Sequence, residues 1–251
     1  MRIIINADDY GMSDEVNKAI EELFKMQLLD RCSIMINMPD ASNLARKAIK
    51  DGYFHNRIGL HINLTEGKPL TNGIKHTFFC NDKGMMTNDN LTFRKRLRVR
   101  HREIIQIRDE IDAQMKLYIS LGLPLRHIDS HNYSSADWSL LKVILSEAER
   151  NGFTSIRLAK NIKSVENYGI KLIYRRLANY HLKQFNSKYN SMECSRYFGS
   201  IVDVCNLISK KKHIDDTIEL MIHPIVNDFG MIVDHYTGEE LVNPLLKIKK
   251  F

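Results

Sequence analysis

Short apolar stretches that end in acids, asparagine or histidine recur along the chain, and between them run polar stretches with apolar residues at helical spacing. Arg2 to Asn6 is almost continuously apolar, as expected of a strand covered on both faces. Ser13 then caps a predicted helix whose Val16, Ile20, Leu23 and Phe24 share one side, with Asp14 and Glu15 in its first turn. Cys32 to Asn37 predicts a second strand, Asp40 opens a helix through Leu44, Ala48 and Ile49, and Arg57 to Ile62 predicts a third strand. From Asn63 to about Arg100 the rhythm gives way to a long Asn-, Asp- and Gly-rich insertion, which at this length is expected to be functional. The alternation resumes with a helix from about Arg102 to Leu121, stopped by Gly122 and Pro124, and a strand around Leu125 to Asp129. A helix over 137–151, a strand over 154–158, a basic helix over 164–185 and a strand over 218–222 complete the map.

Strands alternating with helices predict an α/β fold of parallel β-α-β units. At 251 residues an α/β barrel forms one domain, so residues 1–251 are expected to be a single domain with the insertion at about 63–100. A hydrophobic fraction of 43% and a charged fraction of 27% exclude a disordered chain. No stretch approaches the ~20 apolar residues that cross a bilayer, and the first residues do not read as a signal peptide, which points to the cytoplasm and to no membrane partner. Cys32, Cys80, Cys194 and Cys205 lack the spacing of a zinc ribbon or a disulfide framework. The net charge of +7 is concentrated in Arg94 to Arg102 and in Lys171 to Lys183. Neither run carries a reading motif, so solvated helix faces are expected there and nucleic-acid binding is not.

The chemistry lies at the strand ends. Asp8 and Asp9 follow the first strand, His61 the third, His127, Asp129 and His131 the fourth, and His223-Pro224 the strand over 218–222. In a parallel barrel those ends converge on one face. Adjacent residues of a regular strand point to opposite faces, so Asp8 and Asp9 share a site only if the chain leaves β geometry there, a turn that Gly11 offers; capping of the Ser13 helix is the alternative. His127, Asp129 and His131 alternate on one face: either two imidazoles with an acid between them line the site, or His127 alone ligates and the others support it. Two imidazoles and a carboxylate make a three-ligand metal set with open positions. His223 is a candidate proton donor. Arg157 could orient an acid or a substrate oxygen, or form a surface ion pair. Tyr10, Phe78, Phe79 and Trp138 are candidate stacking surfaces, with core packing the alternative that holds for most single aromatics.

Asn6-Ala7-Asp8-Asp9-Tyr10-Gly11, Gly59 to Gly67, and His127-Ile128-Asp129-Ser130-His131 closely resemble the ordered signatures of the YdjC-like carbohydrate deacetylases, which include the chitooligosaccharide deacetylases. Glu110 to Gln114 and Glu219 to Pro224 are similar to weaker ones. The resemblance implies an irregular, TIM-barrel-like (β/α) barrel and metal-dependent removal of acetyl groups from N-acetylated sugars. It implies Asp9, His61 and His127 as ligands and Asp8 as general base; His223 would be the general acid, and Arg157, Tyr10 and His131 are candidate substrate contacts. It suggests magnesium, whereas the ligand types suit zinc, cobalt or nickel. The expected partner is a small acetylated sugar, with a homodimer left open. The rival readings are a carbohydrate-binding regulatory protein without turnover and a metal-dependent phosphoesterase that holds its anionic substrate with the basic runs.

Overall fold

Nine residues in extended conformation, Arg2–Tyr10, form β1, an interior strand of the sheet that the later strands build on both of its sides. The computed structural model describes residues 2–89, 99–132, 138–162, 170–186, 192–209 and 216–250. The strands that follow are β2 (Arg31–Ile34), β3 (Ile58–Ile62), β4 (His127–Ser130), β5 (Ser155–Ile156), β6 (Tyr197–Ser200) and β7 (Thr217–Ile222). They form one sheet in the order β5-β4-β3-β2-β1-β7-β6, and every pairing in it is parallel. Parallel pairing requires crossovers, and α1 (Asp14–Lys25), α2 (Ala41–Asp51), α3 (His101–Ser120), α4 (Trp138–Arg150), α5 (Ile170–Asn186) and α6 (Ile201–Ser209) supply the described helices. The sheet curls into an open barrel. Across the gap between its edges Glu193 pairs with Ser155, and the Phe198 carbonyl accepts from the amides of Asn161 and Ile162. A hairpin, β8 (Pro224–Val226) with β9 (Ile232–Asp234), and α7 (Val242–Ile248) follow.

Ser13 caps α1 as predicted, its Oγ accepting from Val16 N at 3.3 Å, and Val16, Ile20, Leu23 and Phe24 are buried. Other boundaries move. The first strand continues four residues past Asn6 to Tyr10, the second ends at Ile34, and the third starts one residue later because Arg57 closes a 3-10 turn. The first part of the helix expected over 164–185 lies outside the described residues, as does most of the basic run at Arg94–Arg102. The insertion is not an open loop over residues 63–89. Leu64, Ile74, Phe79 and Met86 join the core, and Cys80 bridges to Met86. Phe79 is therefore core, stacked on Phe78 at 4.6 Å, and the Trp138 side chain lies outside the described residues.

What anchors this segment is a buried acid. Glu110 of α3 accepts from Leu70 N (3.0 Å), Thr71 N (2.8 Å) and Thr71 Oγ1 (2.8 Å), and Gln114 one turn on clamps the backbone of Asn63 through both its amide atoms. These side chains stand in for the strand partners that an irregular segment lacks. No helix among the described residues is long and apolar enough to cross a membrane.

Candidate metal centre

Two adjacent acids can face one site because β1 breaks its period. Asp9 has φ +70°, and the pairing with β2 slips between Ala7 and Tyr10, so that three residues of β1 advance against two of β2. The extra residue of such a bulge brings Asp9 to the same side as Asn6 and Asp8. The departure from β geometry thus sits at Asp9, with Gly11 (φ +97°) continuing the turn.

β3 and β4 deliver the imidazoles. Their register sets His61 opposite Asp129, which leaves His131 just beyond the strand end and His127 about 13 Å lower along the chain at ~3.3 Å per residue. At that lower level Gly59 makes room: a Cβ there would stand 3.1 Å from the His127 carbonyl oxygen and 3.4 Å from its ring. His131 Nδ1 lies 2.7 Å and His61 Nε2 3.1 Å from the same oxygen, Asp9 Oδ1. Asp9, His61 and His131 offer ligand atoms within 4.8 Å of one another.

The structure therefore does not bring together the trio expected from the resemblance. Asp9 and His61 meet, but the imidazole that joins them is that of His131. His127 lies deeper, its Nδ1 2.9 Å from Ser155 Oγ and its Nε2 3.9 Å from Glu219 Oε1. Burial, with repulsion from Arg31, pushes His127 down to about 3, so it is neutral there. Tyr10 is corrected too. One residue past the bulge, it points outward into the core, fully buried against Phe54 with its hydroxyl 3.1 Å from Glu21, and cannot touch a sugar. Arg157 is neither at the surface nor free for substrate. Its Nε meets Glu219, Nη1 and Nη2 grip both oxygens of Asp8 at 2.6 and 2.8 Å, and Nη2 lies 2.7 Å from Asp129.

Behind the metal-ligand candidates stands a second set of residues. His61 Nδ1 lies 2.7 Å from Asp129 Oδ1, which fixes the ring so that Nε2 faces Asp9, the arrangement that carboxylate-supported metal-binding histidines adopt. Asp129 is held in turn by Ser33 (2.9 Å) and Arg157, and Asn6 bonds Asp8 at 2.7 Å. Glu219 links Arg157 to Arg31, whose Nη2 lies 2.7 Å from Oε2. Burial raises the Glu219 carboxyl, but the two guanidiniums prevail and hold it at about 2. Burial likewise opposes ionisation of Asp9, yet the contacts with His131 and His61 leave it well below the usual carboxylate range. Burial also disfavours a charged His61, but Asp129 and then Asp9 push it up to about 10.

Four buried carboxylates, Asp8, Asp9, Asp129 and Glu219, thus meet two guanidiniums, which leaves two negative charges. Both ring nitrogens of His61 face a carboxylate, Nδ1 on Asp129 and Nε2 on Asp9, which favours the doubly protonated ring; a divalent cation among Asp9, His61 and His131 would take the place of the Nε2 proton and balance the charge. The donor set fits such an ion.

A family sequence model described as YdjC-like protein matches residues 2–241. The chain belongs to the YdjC family. Among relatives of this YdjC chain, a carbohydrate deacetylase of Clostridium beijerinckii is 29% identical over 227 residues, covering 89% of the chain and 81% of the relative. One of Thermoanaerobacter pseudethanolicus is 32% identical over 148 residues, 59% of this chain and 57% of its own length, so the match spans little more than half of that protein. A solved structure of a proposed cellobiose-phosphate cleavage protein from Enterococcus faecalis superposes with a TM-score of 0.68 at 20% identity, covering 91% of this chain and 82% of the other. At that identity it speaks for the shared fold alone.

At the rim of the site, His223 follows β7. Its Nε2 is 3.9 Å from Asp8 Oδ2 and its Nδ1 3.8 Å from Asp234 Oδ2, while its backbone N donates to Asp234 Oδ2 at 3.2 Å. Burial lowers the His223 imidazole, but Asp234, Asp8 and Asp9 raise it overall. The exposed ring of Tyr236 stands edge-on to it at 4.6 Å. Sequence reasoning missed the supporting roles of Asn6, Ser33, Arg31, Glu219 and Asp234. A single acid inside the apolar run Thr217–Ile222 was the available signal for Glu219, since a buried charge requires a partner. Asp234 carried none.

Proposed function

We propose that this YdjC chain is a metal-dependent carbohydrate deacetylase that hydrolyses the N-acetyl group of an acetylated amino sugar, with Asp9, His61 and His131 as metal ligands. The observation that carries this reading is the meeting of those three donors beside a second carboxylate, Asp8, with an imidazole at the rim. The carbohydrate deacetylase relatives support the substrate class. When bound, a divalent ion supplies Lewis acidity, polarising the amide carbonyl and lowering the pKa of water.

Asp8 takes the proton from the attacking water; the two-point grip of Arg157 and the bond from Asn6 hold its carboxylate in one orientation for that transfer. His223, whose protonated form the surrounding Asp234, Asp8 and Asp9 favour against its burial, donates to the sugar nitrogen as the C–N bond breaks, and the products are acetate and a free amine. Arg157 acts through Asp8 and does not touch substrate. The resemblance points to magnesium and the donor set to zinc, cobalt or nickel; metal analysis of protein purified without added ions or chelators decides between them.

The test is acetate release from N-acetylglucosamine oligomers of graded length, with and without divalent ions. Ion-dependent acetate release is the expected result. Sugar binding without acetate would favour a regulatory protein, and phosphate release from a panel of esters a phosphoesterase. Asp8→Asn should keep metal binding and lose turnover by about 10²–10⁴-fold. Hydrolysis retained in that variant would remove Asp8 from the role of base.

A further inference from the structure

The deacetylase reading uses only the carboxyl ends of the strands. At the opposite mouth of the barrel lies a cavity of about 190 Å³, lined by Arg2 at the start of β1, Asp30 and Arg31 at β2, Arg57 before β3 and Leu125 before β4. Three arginines and one aspartate line it, and the carboxylate is engaged elsewhere: Asp30 Oδ2 accepts from Ile5 N at 2.8 Å and Oδ1 pairs with Lys249 at 2.7 Å. Arg31 is shared inward, its Nε on Asn6 Oδ1 at 2.8 Å and its Nη2 beside Glu219. Among the described residues neither Arg2 nor Arg57 forms an ion pair with an acid. Arg57 reaches only the carbonyls of Leu29 and Tyr53, both at 3.4 Å, and lies over the Phe24 ring.

Clustered cations beside apolar walls raise the local potential and draw in a counter-ion. The cavity falls below the ~300–1,000 Å³ of sites for drug-sized ligands, so a small ion fits and an oligosaccharide does not. Guanidinium forks match the oxygens of phosphate in geometry as well as charge. We propose that the amino-terminal mouth of the barrel binds a small tetrahedral oxyanion of the phosphate class through Arg2, Arg31 and Arg57. This site is separate from the Asp9–His61–His131 centre and does not depend on the deacetylase reading.

Inorganic phosphate titrated into the full chain, stripped of divalent ions and held at constant ionic strength in chloride, is the test by calorimetry. Saturable binding is expected, weakened at least about tenfold in Arg2→Gln/Arg57→Gln and unchanged within about twofold in Asp9→Asn. Should the double variant fail to fold, Arg2→Gln alone, at an exposed side chain, should still weaken binding by at least about threefold. Absence of saturable binding, equal affinity in the arginine variants, or loss in Asp9→Asn, which would place phosphate at the other end of the barrel, overturns the proposal.

Discussion

His131→Ala and His127→Asn separate the two imidazoles that the signature His127-Ile128-Asp129-Ser130-His131 makes look alike. His131 Nδ1 is 2.7 Å from Asp9 Oδ1, whereas His127 lies two pleats lower, against Ser155 and Glu219. Loss of an outer partner of a metal ligand costs about 10–100-fold in affinity, or roughly 1.4–2.7 kcal/mol. Loss of a ligand itself must exceed that, so His131→Ala should weaken metal binding by more than about 100-fold. In His127→Asn the amide can keep the bond to Ser155 Oγ, and metal affinity should stay within a few-fold. Stability should fall instead, because the smaller side chain leaves part of a buried ring's volume empty, at ~24 cal/mol per Å³ of residual cavity. Competition with a chelator of known affinity reads the first quantity on the stripped chain, and urea unfolding the second. Equal loss of metal affinity in the two variants, or near-native affinity in His131→Ala, would refute the assignment of His131 as ligand.

Asp234→Asn removes one of the charges that raise His223. The protonated acid is lost as pH rises through its pKa, so the alkaline limb of the kcat profile should move to lower pH, and an unmoved limb would sever Asp234 from the acid. Glu110→Ala removes the acceptor of Leu70 N and Thr71 N in a half-exposed stretch that water can reach; at about 0.5–1.5 kcal/mol for each bond, the urea midpoint should drop while affinity for ions at the Asp9–His61–His131 site stays little changed. Glu219 is held at about 2 in the folded chain against 4.5 for a free glutamate. Its lowered pKa contributes stability above the unfolded value that disappears as pH falls toward 2, on the order of a few kcal/mol. Unfolding midpoints measured between pH 5 and pH 2 should therefore fall less steeply in Glu219→Gln than in the native chain.

Most strands were legible because a strand buried on both faces has to be apolar, and the terminal acids and imidazoles marked the face on which the barrel gathers its chemistry. Depth within the barrel was not legible. Parity placed His127, Asp129 and His131 on one face, but the His61–Asp129 register decides which of them reaches the level of Asp9, and register between distant strands leaves no local trace. Tyr10 was misread for a related reason: the bulge at Asp9 reverses the parity of whatever follows, so the aromatic ring turns into the core. The insertion after Asn63 looked open because its composition is that of turns, and its order comes from Glu110 and Gln114, some 40 to 50 residues downstream.

The barrel interior is unusually polar for a packed core, and the arrangement of its charges explains how it is tolerated. From the amino-terminal mouth upward, Arg31, Glu219, Arg157 and Asp8 alternate in sign, each in contact with the next. A buried ion costs several kcal/mol unless its neighbours satisfy it, and along this ladder every member has an opposite charge within 2.7 Å. The ladder ends with two acids to spare, Asp9 and Asp129, and both touch His61, the one imidazole lying between them. The fold thus neutralises its own core up to the level of the site and leaves a surplus of negative charge only where the strands end. Replacing Arg157 by methionine should for that reason lower the urea midpoint as well as turnover, since it strands Asp8 and Asp129 together and leaves Glu219 to Arg31 alone.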